Sequence, residues 1–227
     1  MANAKENESI NKLEGRLTNF IVKRKTILIV CAAVVVLALA GVWIGLSVNA
    51  KATAANQLTI DLLQEDYEAW MAMEDQKSEE AVKALEALTG ALNDLSKKGN
   101  KYPAIKATYL LGLTSYAQED FQTARERFLA AYEKDKETYL APLSLMNAAV
   151  CSERLGDNAK ALEQYQSVYD QFGSEAPEAP KALFSVARLH EAAKNIDLAK
   201  AVFQQLADEF SSSEYAKLAK TRLVTLQ

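Results

Sequence analysis

The feature that most constrains the fold of this chain is a short pattern that occurs three times between residues 121 and 210. Each copy has an alanine, then an aromatic residue four positions later, then an apolar residue three positions after that. In a helix these positions share one face, where the small residue lets a second helix approach and the ring fills the gap. The predicted helix contacts are Ala124, Phe128, Ala131; Ala161, Tyr165, Val168; and Ala199, Phe203, Leu206.

The spacing of the three copies predicts a repeated pair of helices. Their alanines are 37 and 38 residues apart, and another stretch with helical periodicity precedes each copy after a short polar turn. Pro103, Pro142 and Pro180 fall just before or at the start of each of these first helices, where a missing N–H costs nothing. The pattern therefore indicates an all-α array of stacked helix pairs.

The segment YLLGLTSYAQEDFQTARERFLAAY, residues 109–132, resembles the tetratricopeptide repeat (TPR) family, with Leu111 and Gly112 at the paired Leu-Gly position of that family. The resemblance implies a TPR-type α-solenoid, in which the first helices line a concave surface. The predicted parts are a degenerate first helix pair at 56–99, repeats at 103–136, 141–173 and 180–211, and a C-terminal capping helix at 213–227.

An apolar segment precedes the repeats. The 22 residues from Ile27 to Val48 carry no charge, and as a helix they would be about 33 Å long, enough to cross a bilayer. A cleavable leader has a shorter apolar core nearer the N-terminus, so an uncleaved anchor is favoured over cleavage after Ala50. The sequence therefore predicts a charged head at 1–25, a single transmembrane helix at 26–50 and a TPR domain at 51–227.

The charges beside this segment predict its orientation. Lys23, Arg24 and Lys25 precede it, whereas only Lys51 follows closely, and cytoplasmic flanks carry the positive excess. The N-terminus should then be cytoplasmic and the TPR domain extracytoplasmic. Gly41 and Gly45 have the spacing that lets two membrane helices pack closely, although glycines are also common in spans without such a role.

Composition and motifs argue against several classes of function. Residues 51–227 carry 20 Lys and Arg against 27 Asp and Glu, a net charge of −7 that disfavours binding to nucleic acid. No cluster of Cys and His has metal-ligand spacing, and no glycine-rich phosphate loop or positioned nucleophile is present. We therefore expect a protein that is not an enzyme, needs no cofactor and binds other proteins.

The first helices supply a candidate groove for a partner. An apolar groove of this kind suits an amphipathic helix or an unfolded apolar segment, but the same residues could instead pack between neighbouring helices. The candidate groove residues are Tyr109, Leu113, Tyr116, Leu143, Met146, Val150 and Phe184.

Two further resemblances concern the cellular setting. The ending FSSSEYAKLAKTRL, residues 210–223, resembles the last repeat of bacterial envelope TPR proteins. The layout of charged head, single span, long first helix and TPR array resembles the YfgM-like ancillary subunits of the Sec translocon. That resemblance implies an inner-membrane adaptor that hands exported chains to periplasmic chaperones. The alternative is a structural scaffold of another envelope complex, such as the outer-membrane assembly, Tol-Pal, cell-division or motility apparatus.

Overall fold

A computed structural model describes the backbone from Ala2 to Leu226. Some side chains of the N-terminal part lie outside the described structure, among them most of those in the predicted charged head. They belong to residues 2–13, 15–17, 19–21, 28–29, 31–33 and 49. The chain divides into two compact units, one ending at Ala54 and the other beginning at Ala55, and each is described by itself.

Throughout the described residues the chain is helical and contains no strand. Helix α1 has one residue with non-helical backbone angles, Arg24 (φ −119°, ψ 15°), and a short 3₁₀ turn follows α6 at Gly173–Glu175. The helices are α1 Ala2–Met71, α2 Glu79–Ser96, α3 Tyr102–Ala117, α4 Phe121–Lys134, α5 Leu140–Arg154, α6 Asn158–Phe172, α7 Ala179–Ala192, α8 Ile196–Glu209 and α9 Glu214–Thr225.

The apolar part of α1 is the one described segment that is long and apolar enough, by its length and composition alone, to cross a membrane. The segment is Val34–Met71, and no residue of its most apolar window is buried. At Gly41 and Gly45 an added Cβ would meet no atom within 4 Å, so helix packing at these glycines remains a prediction.

The second unit is built from helix pairs that pack in sequence. Each helix from α2 to α8 packs against the next, and α9 packs against both α7 and α8. All nine residues of the repeated alanine–aromatic–apolar pattern are at most 2% exposed. At the Leu-Gly position, the backbone of Gly112 lies so close to Phe128 that an added Cβ would be 2.7 Å from its ring. The prediction of an all-α array of stacked helix pairs is confirmed for the described residues.

The turns inside the pairs repeat the same local chemistry. The side chains of Asp120 and Asp157 accept backbone N–H groups of the helices that they precede, which satisfies donors that a helix start leaves free. The residue at the tightest point of the turn has a positive φ in three equivalent places, at Glu119 (62°), Gly156 (77°) and Lys194 (62°). These turns end each first helix and direct the second helix back along it.

The end of α1 forms the first helix pair together with α2. Ile60, Leu63 and Trp70 are buried on one side of α1, and the first two pack in a cluster with leucines of α2 such as Leu88 and Leu92. This cluster also includes Ala107, Leu110 and Leu111 of α3. The first pair is therefore joined to the second by the same kind of apolar contact that joins the later pairs.

Candidate protein-binding surface

The candidate groove residues lie on the first helices of three successive pairs, α3, α5 and α7, and we call the surface of these helices the first-helix face. On α3, the side chains of Tyr109, Leu113 and Tyr116 are half-buried. They pack against a buried cluster that includes Ala124 and Phe128 of α4. These three residues therefore join α3 to α4 and leave only part of each side chain on the surface.

The candidate residues of α5 and α7 differ in position. Leu143 and Val150 are half-buried, whereas Met146 is 1% exposed and packs inside the core. The prediction that Met146 lines a groove is therefore wrong, because its flexible side chain fills the space between helices instead. Phe184 contacts the rings of Phe203 and Tyr215, with centroids 5.6 and 5.7 Å apart, and belongs to a separate cluster under α9.

A row of tyrosines crosses the first-helix face. Tyr102, Tyr109 and Tyr116 are seven residues apart on α3, and each hydroxyl makes a hydrogen bond to the next pair of the array. The partner atoms are the Tyr139 hydroxyl (2.7 Å), the Asn147 amide nitrogen Nδ2 (2.8 Å) and the Arg154 guanidinium nitrogen Nη1 (3.3 Å). Tyr109 and Tyr116 are among the candidate groove residues, but Tyr102 and the hydrogen bonds of the row were not predicted, although the seven-residue spacing is visible in the sequence.

The row makes the first-helix face more polar than predicted. Besides the hydroxyl groups, it carries Lys106, whose Nζ lies 3.6 Å from an oxygen of Asp61 and 5.7 Å from the centroid of the Tyr102 ring. Apolar periodicity predicts which positions face the neighbouring helix. It does not show that a tyrosine ring can pack at such a position while its hydroxyl extends to the solvent-exposed edge of the face. The expected apolar groove is therefore an aromatic surface with polar groups at its edge.

Tyr109 lies at the centre of this surface. Its hydroxyl accepts the hydrogen bond from the Asn147 amide, and its ring packs against Phe128 with centroids 5.4 Å apart. Burial raises the pKa of Tyr109 to about 12, and burial likewise raises the pKa of Tyr139 to about 12. Both phenols therefore remain neutral at physiological pH, where they donate and accept hydrogen bonds but carry no charge.

An ion pair joins the next two first helices. Arg188 of α7 donates a hydrogen bond to a carboxylate oxygen of Glu153 on α5 (2.7 Å), and the hydroxyl of Tyr165 donates to the same oxygen (3.2 Å). The hydrogen bond from Arg188 is the largest cause of the lowered pKa of Glu153. This contact links α7 to α5 and adds a charged edge to the first-helix face.

Groups with catalytic potential are placed unfavourably for chemistry. Cys151 is fully buried, and burial raises the pKa of its thiol to about 11, so it is protonated at neutral pH. The single histidine, His190, is half-buried, and its ring nitrogen Nδ1 is buried without a hydrogen-bond partner. In the part of the chain that the structure describes, no three His, Cys, Asp or Glu residues converge as a metal site.

Comparison with protein families identifies the repeats independently. The sequence profile of the tetratricopeptide repeat matches residues 109–176 and 153–214. A TPR repeat-containing protein of Treponema pallidum (strain Nichols) is 29% identical over 111 residues, which are 49% of this chain and 46% of that protein. The chain thus spans less than half the length of this relative.

Solved structures share the fold. A tetratricopeptide repeat protein from Parabacteroides merdae ATCC 43184 superposes with a TM-score of 0.54 at 20% identity, over 74% of this chain and 60% of that one. The TPR-like repeats of a putative kinesin light chain from Podosopora anserina superpose with a TM-score of 0.54 at 15% identity, over 75% of this chain and 84% of theirs. These similarities concern the fold, and the chain contains TPR repeats.

Proposed function

We propose that this protein is a membrane-tethered adaptor of the bacterial cell envelope that binds other proteins through the first-helix face of its TPR array. TPR repeats commonly mediate protein–protein interactions, and a half-exposed row of tyrosines is the observation that carries the proposal. Aromatic side chains with a polar end supply large contact areas and orienting hydrogen bonds at protein interfaces.

The chemistry of the face indicates what kind of segment it binds. Tyrosine rings at the spacing of Tyr102, Tyr109 and Tyr116 offer apolar area over about 20 Å of helix, while their hydroxyls and Asn147 offer hydrogen bonds. An extended or helical segment with apolar side chains and free backbone polar groups complements such a surface. The proposed ligand is therefore an incompletely folded or helical protein segment.

The proposed tether is the apolar segment 27–48, with the N-terminus in the cytoplasm and the TPR domain outside it. The layout of head, span and repeats supports a position beside the Sec translocon, where the adaptor would pass exported chains to periplasmic chaperones. Accessibility of single cysteines to a membrane-impermeant maleimide in intact cells tests the topology. Labelling of Ala130→Cys without labelling of Ala4→Cys is expected, and the reverse pattern would refute it.

Site-specific crosslinking in cells tests the binding surface. A photo-reactive residue in place of Leu113 on the first-helix face should capture translocon subunits, chaperones or exported chains, whereas one in place of the exposed Gln204 on α8 should not. Adding Tyr109→Ala and Asn147→Ala should reduce capture at position 113. Equal capture at both positions, or capture that the double substitution leaves unchanged, would contradict the proposed role of the face.

A further inference from the structure

The first helix pair has an open groove on its outer flank. The groove has a volume of about 480 Å³ and is lined by α1, the turn that follows it, and α2 alone. We call it the α1–α2 groove, and the residues that matter for its shape are Asp66, Ala69, Met73, Ala84, Ala87 and Ala91.

The groove lies on the side of α2 away from α3. Leu92 and Leu95 of α2 pack in the cluster shared with α3, whereas Ala84 and Ala87 line the groove. At the other end of the array α9 covers the last pair, but within the residues from Ala55 onward no helix covers the first. Because four of the nine lining residues are alanines, one on α1 and three on α2, a further helix can approach both α1 and α2 closely.

Trp70 has the largest side chain among the residues that line the α1–α2 groove. Its side chain is 2% exposed and lines the groove, and its indole N–H is buried without a hydrogen-bond partner among the described atoms. Buried tryptophan N–H groups usually have an acceptor, because leaving the donor unpaired is unfavourable.

The charge around the groove defines the ligand. Residues 58–91 contain nine Asp and Glu but only two Lys, so the first pair holds much of the negative charge of the domain. Among the residues that line the groove, Asp66 is the one with a carboxylate, and it has no ion pair in the described structure, whereas Asp61 on another face of α1 pairs with Lys106. A second copy of the chain would bring like charges together, whereas a basic helix would neutralise them.

We propose that the α1–α2 groove binds a basic amphipathic helix of a partner protein. The apolar side of that helix packs on the alanines of α2 and on Ala69, and its lysines or arginines face Asp66. This inference rests on the protein-binding function proposed above, but it assigns a second surface, at the opposite side of the first pair from α3. One partner could then be held in the groove while a client occupies the first-helix face.

Tryptophan fluorescence of the full chain measures binding directly. The chain has two tryptophans, so Trp43→Phe leaves Trp70 as the only reporter, in nanodiscs of zwitterionic phosphatidylcholine. The probe is a helical peptide of about 18 residues made of lysine, leucine and alanine, with apolar residues three and four apart. Controls are the same peptide with glutamate in place of lysine, a scrambled lysine peptide, and empty nanodiscs.

We expect saturable binding of the basic peptide with a change in Trp70 emission, and at least about tenfold weaker binding of both control peptides. Ala87→Arg should weaken binding about tenfold or more, because it puts bulk and positive charge into the groove. The matched control is Ala130→Arg, which makes the same change at an exposed position of α4 and should leave affinity unchanged. Asp66→Asn should weaken binding and reduce its dependence on salt.

Three outcomes would overturn the inference. These are binding of the acidic peptide as tight as that of the basic one, binding that Ala87→Arg leaves unchanged, and self-association of the chain through the groove in sedimentation experiments. Adding Tyr109→Ala separates the two surfaces, because it should reduce client capture on the first-helix face and leave peptide binding in the groove intact. Each proposal can thus fail while the other stands.

Discussion

Replacing Gly112 with alanine tests how closely α3 and α4 approach each other. The new Cβ would lie 2.7 Å from two ring atoms of Phe128, which is closer than carbon atoms pack. The ring cannot easily move away, because it is 1% exposed and packs against Tyr109 with centroids 5.4 Å apart. Overpacking of this kind costs about 1–3 kcal/mol, and the better helix propensity of alanine returns about 1 kcal/mol. We expect a net loss of about 1 kcal/mol.

Gly90 is the matched control within the same domain. It is exposed inside helix α2, and an added Cβ would meet no atom within 4 Å. Gly90→Ala should therefore stabilise the protein by about 1 kcal/mol through helix propensity alone. One substitution at two helical glycines is thus expected to change stability in opposite directions.

Urea unfolding of residues 55–227, followed by far-UV circular dichroism, measures the difference. The midpoints of the two variants should fall on opposite sides of the wild type, and their melting temperatures should differ by about 4–8 °C. Phe128→Leu should destabilise the Gly112→Ala variant less than it destabilises the wild-type protein, because the smaller side chain relieves the clash with the new Cβ. A Gly112→Ala variant as stable as Gly90→Ala would refute the close contact.

Four other substitutions test three separate features. Ala161→Trp, at a fully buried helix contact, should destabilise the domain by at least about 1–3 kcal/mol in the same urea assay, and unchanged stability would contradict that contact. Lys194→Gly should stabilise the domain by about 1 kcal/mol because Lys194 has a φ of 62°, whereas Gly156→Ala at the equivalent turn should destabilise it. The hydrogen bond from Arg188 lowers the pKa of Glu153 in the folded protein. The ion pair therefore stabilises the fold at pH values above the unfolded-state pKa of Glu153, and this stabilisation is lost as the pH falls through the folded-state pKa. Glu153→Gln should therefore flatten the acid limb of a stability-against-pH curve, and an unchanged limb would contradict the ion pair.

Much of the fold can be predicted from the sequence, because the spacing of apolar residues along each helix determines which side of the helix is buried. Ala124, Phe128 and Ala131 are predicted to share a contact face from spacing alone, and all three are buried. Helical spacing decides which side of a helix is apolar, and repetition at a fixed period decides that units stack on one another. Neither inference needs the position of any distant residue.

The surface was harder to predict because it depends on how far a side chain reaches between helices. Met146 and Val150 have the same helical spacing and similar polarity, yet Met146 is buried in the core and Val150 is half-exposed. The hydroxyl of Tyr109 finds Asn147, 38 residues away, only because α3 and α5 pack side by side. Such contacts are set by the relative position of the helices, which spacing along one helix does not specify.

The sequence by itself determined the helices, the period at which helix pairs repeat and the apolar segment before them, because each of these depends on the spacing of residues that are close together in the chain. The tertiary structure alone decided which pair has an uncovered flank and where its charge lies. Spacing along α2 does not distinguish Ala84 and Ala87 from alanines at a helix contact that another helix covers. That the alanines border an open groove, beside an indole N–H with no partner, follows from the absence of a covering helix in the domain from Ala55 onward.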